Sequence, residues 1–161
     1  MHYTVVIVFD EGGQNVLLLQ KQKTGFKGIY NGVGGKVEPH ETSSECAYRE
    51  FNEETGLDLK HRGIELHWVC TIQPCYNCER EEECFLHFFT GTIEEGLLDL
   101  NQDRTERLKW FPLKNVLHAG VENVPFNDEG DILAGNGDLP YVTNMAHVML
   151  FGKIEDFYAK S

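Results

Sequence analysis

The sequence predicts one α/β domain spanning residues 1–161. Three observations carry that expectation. Short β-branched and apolar runs recur along the chain. Two longer stretches, 41–55 and 142–158, carry apolar residues at helical spacing. No internal repeat, linker or low-complexity tract separates them. A chain of 161 residues is long enough to bury a sizeable core as a single unit. Pattern alone leaves the strand order open.

The elements follow in order. Tyr3 to Phe9 is β-branched and apolar and reads as a buried strand. The glycine-containing stretch Asp10 to Asn15 turns the chain, and Val16 to Gln22 reads as the returning strand of a hairpin. Thr24 to Gly28 is a loop. Tyr30 to Val37, with glycines at 32, 34 and 35, reads as a short strand with tight backbone turns. Pro39 followed by Glu41, Thr42 and Ser43 opens a helix that Gly56 closes, so a helix is expected from about Glu41 to Thr55. Ile64 to Ile72 and Cys84 to Thr92 read as paired strands around the polar turn Pro74 to Glu83. Cys70 reads as a core residue. Glu94 to Arg107 is an acidic loop, Leu108 to Phe111 a short strand and Pro112 to His118 a short helix. Glu122 to Leu139, rich in Gly, Asn and Asp, is a long loop of the kind that carries function. Met145, Val148, Met149 and Ile154 place a closing helix over 142–158.

Composition narrows the function. Lys and Arg number 14 and Asp and Glu 26, for a formal charge of −12, which argues against a general binder of nucleic-acid polymers or membrane surfaces. A nucleotide substrate stays compatible, because a bound cation offsets charge locally. The first ten residues form too short an apolar run for a signal or a membrane span. With five cysteines, an odd number, this favours a reducing, cytoplasmic setting.

The densest chemistry lies between Gly34 and Leu57. On the expected helix, Ser44, Ala47, Tyr48 and Phe51 share a face able to pack on a core. Glu50, Glu53 and Glu54 are related by i,i+3 and i,i+4, so their carboxylates gather on the opposite side. Like charges at that spacing repel, by about 0.2–0.5 kcal/mol per pair. A hard divalent cation turns that repulsion into attraction, since Mg2+ takes carboxylate oxygens and substrate phosphates.

These residues resemble the signature of the Nudix hydrolases, Gly-x5-Glu-x7-Arg-Glu-U-x-Glu-Glu-x-Gly-U with U a bulky apolar residue. Gly35, Glu41, Arg49, Glu50, Phe51, Glu53, Glu54, Gly56 and Leu57 fill every defined place, with Phe51 an aromatic choice at an aliphatic position. The resemblance implies a mixed β-sheet sandwiched between α-helices, and hydrolysis of a nucleoside diphosphate linked to another group. It implies Mg2+ as cofactor, with Mn2+ as a substitute, held by Glu50, Glu53 and Glu54 with Gly35 alongside. Arg49 becomes an orienting residue, with Glu41 or Glu54 as its partner. Gly34 and Gly35 allow backbone to approach metal or phosphate, and Lys36 either touches phosphate or is simply exposed. A cluster glutamate or a later acid takes the proton. Glu94, Glu95, Asp99, Asp103 and Glu106 are the later candidates, and Glu106, just ahead of Trp110 and Phe111, is favoured.

Two further constellations stand out. Gly25 to Lys36 is similar to the segment leading into the box in the animal 8-oxo-dGTP diphosphatases. That similarity implies a purine pocket lined by Phe26 and Asn31, faced by Asp138 and Tyr141. The relatives carry a tryptophan and paired aspartates where this chain has Tyr141 and the single Asp138. Separately, Cys75, Cys78, Cys84 and His87 have the residue types of a zinc site. Cys84 and His87 differ by an odd number within an apparent strand and so point to opposite faces, which opposes a shared metal. The expectation is thus a Mg2+-dependent nucleoside triphosphate pyrophosphohydrolase acting on a small-molecule nucleotide, an oxidised purine dNTP such as 8-oxo-dGTP, to release monophosphate and pyrophosphate, as monomer or homodimer. Hydrolysis of ADP-ribose or a similar derivative, or non-catalytic ligand sensing, are the alternatives.

Overall fold

A computed structural model describes residues 1–20, 30–73, 83, 85–100 and 107–113, and at 31, 72 and 107 the backbone only. Its strands are β1 (His2–Asp10), β2 (Asn15–Gln20), β3 (Tyr30–Asn31), β4 (His67–Ile72), β5 (Phe85–Ile93) and β6 (Arg107–Pro112), and its helix is α1 (Ser43–Thr55). A 3₁₀ turn, Glu95–Leu97, interrupts what the sequence presents as loop. The chain forms two compact units.

The first unit joins residues 1–11 to 32–99. β1 and β5 pair in parallel, with Thr4 opposite His87 and Val6 opposite Phe89, and β4 pairs antiparallel to β5, so the sheet is mixed. β1 is buried without interruption from Thr4 to Phe9, as expected of a parallel strand covered on both faces. The other edge of β1 takes up the glycine-rich segment through bridges Val6 to Val33 and Tyr3 to Lys36. Here the structure corrects the sequence reading. Tyr30 to Val37 is not one strand, because Tyr30 and Asn31 pair with β2 while Val33 and Lys36 touch β1 singly. β4 likewise starts at His67 rather than Ile64.

α1 packs on β1 and β5. Its ends are set locally. The Thr42 hydroxyl accepts the Glu45 N–H at 3.1 Å, and the Glu45 carboxylate accepts the Thr42 N–H at 2.8 Å, forming a capping box. Gly56, at φ 74°, ends the helix and donates its N–H to the Asn52 carbonyl. The buried face comprises Cys46, Ala47, Phe51 and Thr55. Tyr48 is half-buried, its hydroxyl accepting the Leu66 N–H, whereas Ser44 is exposed, contrary to its expected core role. Cys70 is half-buried, and among the described residues Cys46 is the thiol in the core.

In the second unit β2 is flanked by antiparallel partners β3 and β6, and Val16 to Leu19 are fully buried with Leu108 and Phe111. Tyr30 packs edge-on to Phe111 with centroids 4.8 Å apart. Pro112 closes β6 and Leu113 is helical, one residue after the expected start of the short helix; residues 114–118 lie outside the described residues. The closing helix expected over 142–158 also lies outside them.

Candidate active site

The site is built where α1 meets the segment 33–36. That segment lies against β1 with Thr4 N–H bonded to the Gly35 carbonyl at 2.9 Å. Two glycines make the approach possible. A Cβ on Gly34 would collide with the Thr4 carbonyl, whose carbon would be 2.8 Å away, and backbone there has no room to yield. A Cβ on Gly35 would occupy the space of the Glu50 carboxyl, with Oε2 2.7 Å away. The missing side chains are therefore what lets the Glu50 carboxylate lie on the backbone of the segment. One turn on, Glu54 Oε2 accepts the Gly34 N–H at 3.1 Å. The i,i+4 pair Glu50 and Glu54 thus meets the double glycine, while Glu53 stands outward with its side chain 59% exposed.

Arg49 organises these acids. Its Nε and Nη2 hold both oxygens of Glu41 at 3.0 and 2.6 Å, a bidentate pair. Its Nη1 reaches Glu50 Oε1 at 2.8 Å and Glu53 Oε2 at 3.3 Å, and its Nη2 donates to the Lys36 carbonyl. Glu41 is therefore its partner among the two acids the sequence offered. The guanidinium beside Glu41 holds that carboxyl well below the usual range, at about 2. The same hydrogen bonds push the Arg49 pKa upward, so its charge is permanent.

The sequence reading did not single out Cys46, which lies beneath this network. Its Sγ is 3.4 Å from Thr4 Oγ1, 3.5 Å from Arg49 Nη2 and 3.5 Å from the Lys36 carbonyl. Burial pushes the thiol up to about 11, so it packs and hydrogen-bonds rather than reacts. The available signal was its position three residues before Arg49, on the same helical side.

The sign of the Glu41 shift gives a test. Its contribution to stability is present above the ordinary carboxylate value, about 4.3, and is lost as pH falls toward about 2. Glu41→Gln is expected to be less stable than wild type near neutrality. The gap should close as pH falls through that window, and parallel urea-denaturation series on both proteins would measure it.

The other expected site residues divide as follows. Gly34, Gly35, Lys36, Arg49, Glu50, Glu53 and Glu54 lie in this one neighbourhood, with Lys36 exposed. Glu94, Glu95 and Asp99 are exposed around the 3₁₀ turn. Phe26, Asp103, Glu106, Asp138 and Tyr141 lie outside the described residues, and so do Cys75, Cys78 and Cys84. Asn31 is described in its backbone alone, paired with Leu19. Both ring nitrogens of His87 are engaged, Nδ1 with Thr71 Oγ1 at 2.9 Å and Nε2 with His2 Nδ1 at 2.8 Å.

Oxygen donors from Glu50, Glu53, Glu54 and the Gly35 carbonyl suit a hard cation. Among the described residues no three His, Cys, Asp or Glu side chains close into a ready-made cage.

Comparison with known proteins agrees with this geometry. The model of the NUDIX domain matches residues 2–129. The oxidized purine nucleoside triphosphate hydrolase of Mus musculus is 44% identical over 121 residues, covering 74% of this chain and 70% of that protein. Its namesake in Danio rerio is 32% identical over 114 residues, covering 70% and 67%. The NUDIX domain of Shewanella oneidensis NrtR, solved in complex with ADP ribose, superposes with a TM-score of 0.62 at 15% identity, over 98% of this chain and 88% of that one. With the family match, the two relatives and the Glu–Arg–Gly cluster in agreement, the chain belongs to the Nudix family and is a Nudix hydrolase.

Proposed function

We propose that the chain is a Mg2+-dependent pyrophosphohydrolase of nucleoside triphosphates, acting on an oxidised purine deoxynucleotide such as 8-oxo-dGTP and releasing monophosphate and pyrophosphate. The observation that carries this reading is the placement of Glu50 and Glu54 on the Gly34–Gly35 backbone with Arg49 bridging to Glu53. The names of the mouse and zebrafish relatives support the substrate class. Nudix hydrolases generally use divalent cations. Mg2+ is the proposed one here, with Mn2+ as a substitute. When bound, the cation neutralises charge on the diphosphate and polarises an attacking water.

The chain's own residues divide the remaining work. Glu50, Glu53, Glu54 and the Gly35 carbonyl supply the oxygens. Arg49, anchored by Glu41, positions those carboxylates. Gly34 keeps Glu54 oriented, and Lys36 contacts phosphate. Glu106 accepts the proton in this scheme. Phe26, Asn31, Asp138 and Tyr141 hold the base, Asn31 through edge hydrogen bonds and Phe26 by stacking. The family match runs through both compact units, which supports reading residues 1–161 as one domain. The partner is a small-molecule nucleotide rather than a nucleic-acid polymer or a membrane, the setting cytoplasmic, and the assembly a monomer or homodimer. No helix among the described residues is long and apolar enough to cross a membrane.

Kinetics on dGTP, 8-oxo-dGTP, dATP, dCTP and ADP-ribose test the substrate assignment. 8-oxo-dGTP is expected to give the highest kcat/KM. Asn31→Ala is expected to raise KM for the preferred purine triphosphate and to flatten purine-over-pyrimidine discrimination with little change in kcat, since a site built for edge hydrogen bonds penalises a base that leaves them unpaired. ADP-ribose as best substrate, or unchanged base preference in the variant, would overturn the pocket.

A further inference from the structure

A cavity of about 800 Å³ opens beside the carboxylate site, lined by Lys36 and Glu50 from that site and by His2 and His87 from the sheet. The two histidines come together because β1 and β5 are parallel and put Thr4 opposite His87, one pleat from His2. Their rings are nearly coplanar, 11° apart, with centroids separated by 5.1 Å and Nδ1 of His2 2.8 Å from Nε2 of His87. That is an in-line N–H···N bond. The chain of bonds continues behind it. His87 Nδ1 meets Thr71 Oγ1 at 2.9 Å, and the Trp68 indole N–H donates to the same oxygen at 3.1 Å.

A donor at one end fixes how such a chain behaves. With Trp68 donating, the Thr71 hydroxyl can donate to His87, which donates through Nε2–H to His2, leaving the His2 Nε2–H as the terminal donor. The chain can also reverse, with His2 donating through Nδ1–H and Thr71 accepting twice. It therefore takes up one proton at its exposed end without losing a hydrogen bond. Burial, and then the neighbouring His2, lower the pKa of His87, so a second proton is disfavoured there.

Three carboxylates line the cavity, Glu38, Glu41 and Glu50. Both Glu41 oxygens and Glu50 Oε1 are held by Arg49, and Glu38 lies 3.4 Å from His40. Lys36 forms no ion pair with any described residue. The Lys36 ammonium and the His2 end of the pair thus face one space that reaches Glu50 and that N-terminal Met1 also lines.

We infer that His2, backed by His87, and Lys36 form a subsite for the distal phosphates of a polyphosphate substrate, next to the carboxylates that handle its hydrolysed bond. This rests on the reading of the chain as a nucleoside triphosphate hydrolase. The subsite favours a triphosphate over substrates that end in a monophosphate.

The test uses the full chain freed of metal and follows the ring C–H signals of His2 and His87 by NMR during titration with inorganic pyrophosphate. Both signals are expected to move. His2→Gln and Lys36→Ala should each raise the dissociation constant about fivefold, the size of one partly exposed charged contact. A nucleoside monophosphate should leave the signals in place. Unmoved signals, undiminished affinity in either variant, or an equal response to the monophosphate would overturn the subsite. Phosphate release from 8-oxo-dGTP by the same preparation separates the two readings. Pyrophosphate coupling without hydrolysis sinks the proposed activity alone, and hydrolysis without coupling sinks the subsite alone.

Discussion

Glu54→Gln is expected to reduce turnover by at least about 10²–10³-fold, the scale seen when one group that stabilises transition-state charge is removed. The fold should survive it. A glutamine oxygen can still accept the Gly34 N–H that Glu54 now holds at 3.1 Å, so the contact between helix and glycine segment is kept while the charge is lost. Glu53→Gln should act in the same way for a different reason. Glu53 is 59% exposed and accepts a 3.3 Å bond from Arg49 at the surface, so the core has no use for its charge. For both variants kcat should fall far more than KM rises, since the loss falls on the chemical step. Thermal melting with wild-type behaviour beside near-zero phosphate release is the expected pair of results. Rates near wild type at saturating Mg2+ would remove both residues from the cation site.

Phe51→Ala should be the most destabilising single change in α1, by about 3–5 kcal/mol. Phe51 has no exposed surface and is among the largest fully buried side chains, on the face of the helix that packs against β1 and β5. Truncation leaves a cavity between helix and sheet where backbone on both sides is tied by hydrogen bonds and collapses poorly. Phe51→Leu keeps most of the volume and should cost less than about 1.5 kcal/mol. Urea denaturation of the three proteins would measure the series. Equal stability for the alanine and leucine variants would show that Phe51 is not the anchor its burial indicates. Because Arg49 and Glu50 sit on the same turn, the alanine variant should also lose activity in proportion to the fraction unfolded.

The contrast between these residues shows what can be read from a sequence. The limits of α1 were legible because their causes are local. Thr42 with Glu45 and Gly56 with Asn52 are close neighbours in the chain, and the sequence reading missed the start by two residues only. The spacing of Glu50, Glu53 and Glu54 was legible for the same reason. The choice between Glu41 and Glu54 as partner of Arg49 was not, since it is made by a distant backbone group: the Gly34 N–H takes Glu54. The false strand over 30–37 has a similar origin, for its residues look alike but change partners from β2 to β1. The exposed Ser44 and the buried Cys46 show that the helix's apolar stripe is rotated from the one the spacing suggested. The His2–His87 pair is not encoded near either residue. It depends on a parallel register between strands far apart in the chain.

The helix caps have one more consequence, which concerns length rather than letters. Thr42 and Gly56 fix both ends of α1, while Gly34 and Gly35 fix where its carboxylates must land. One residue added within the helix would turn everything after it by about 100°. An insertion before Arg49 would swing Glu50 and Glu54 off the glycines, and one after Phe51 would separate Glu54 from Glu50. Substitutions at exposed positions outside the carboxylate cluster can be absorbed one at a time between these caps; insertions and deletions cannot. The interval from Thr42 to Gly56 therefore works as a ruler. Among descendants of this chain its length should stay constant while its exposed positions, such as Ser44 and Asn52, drift freely.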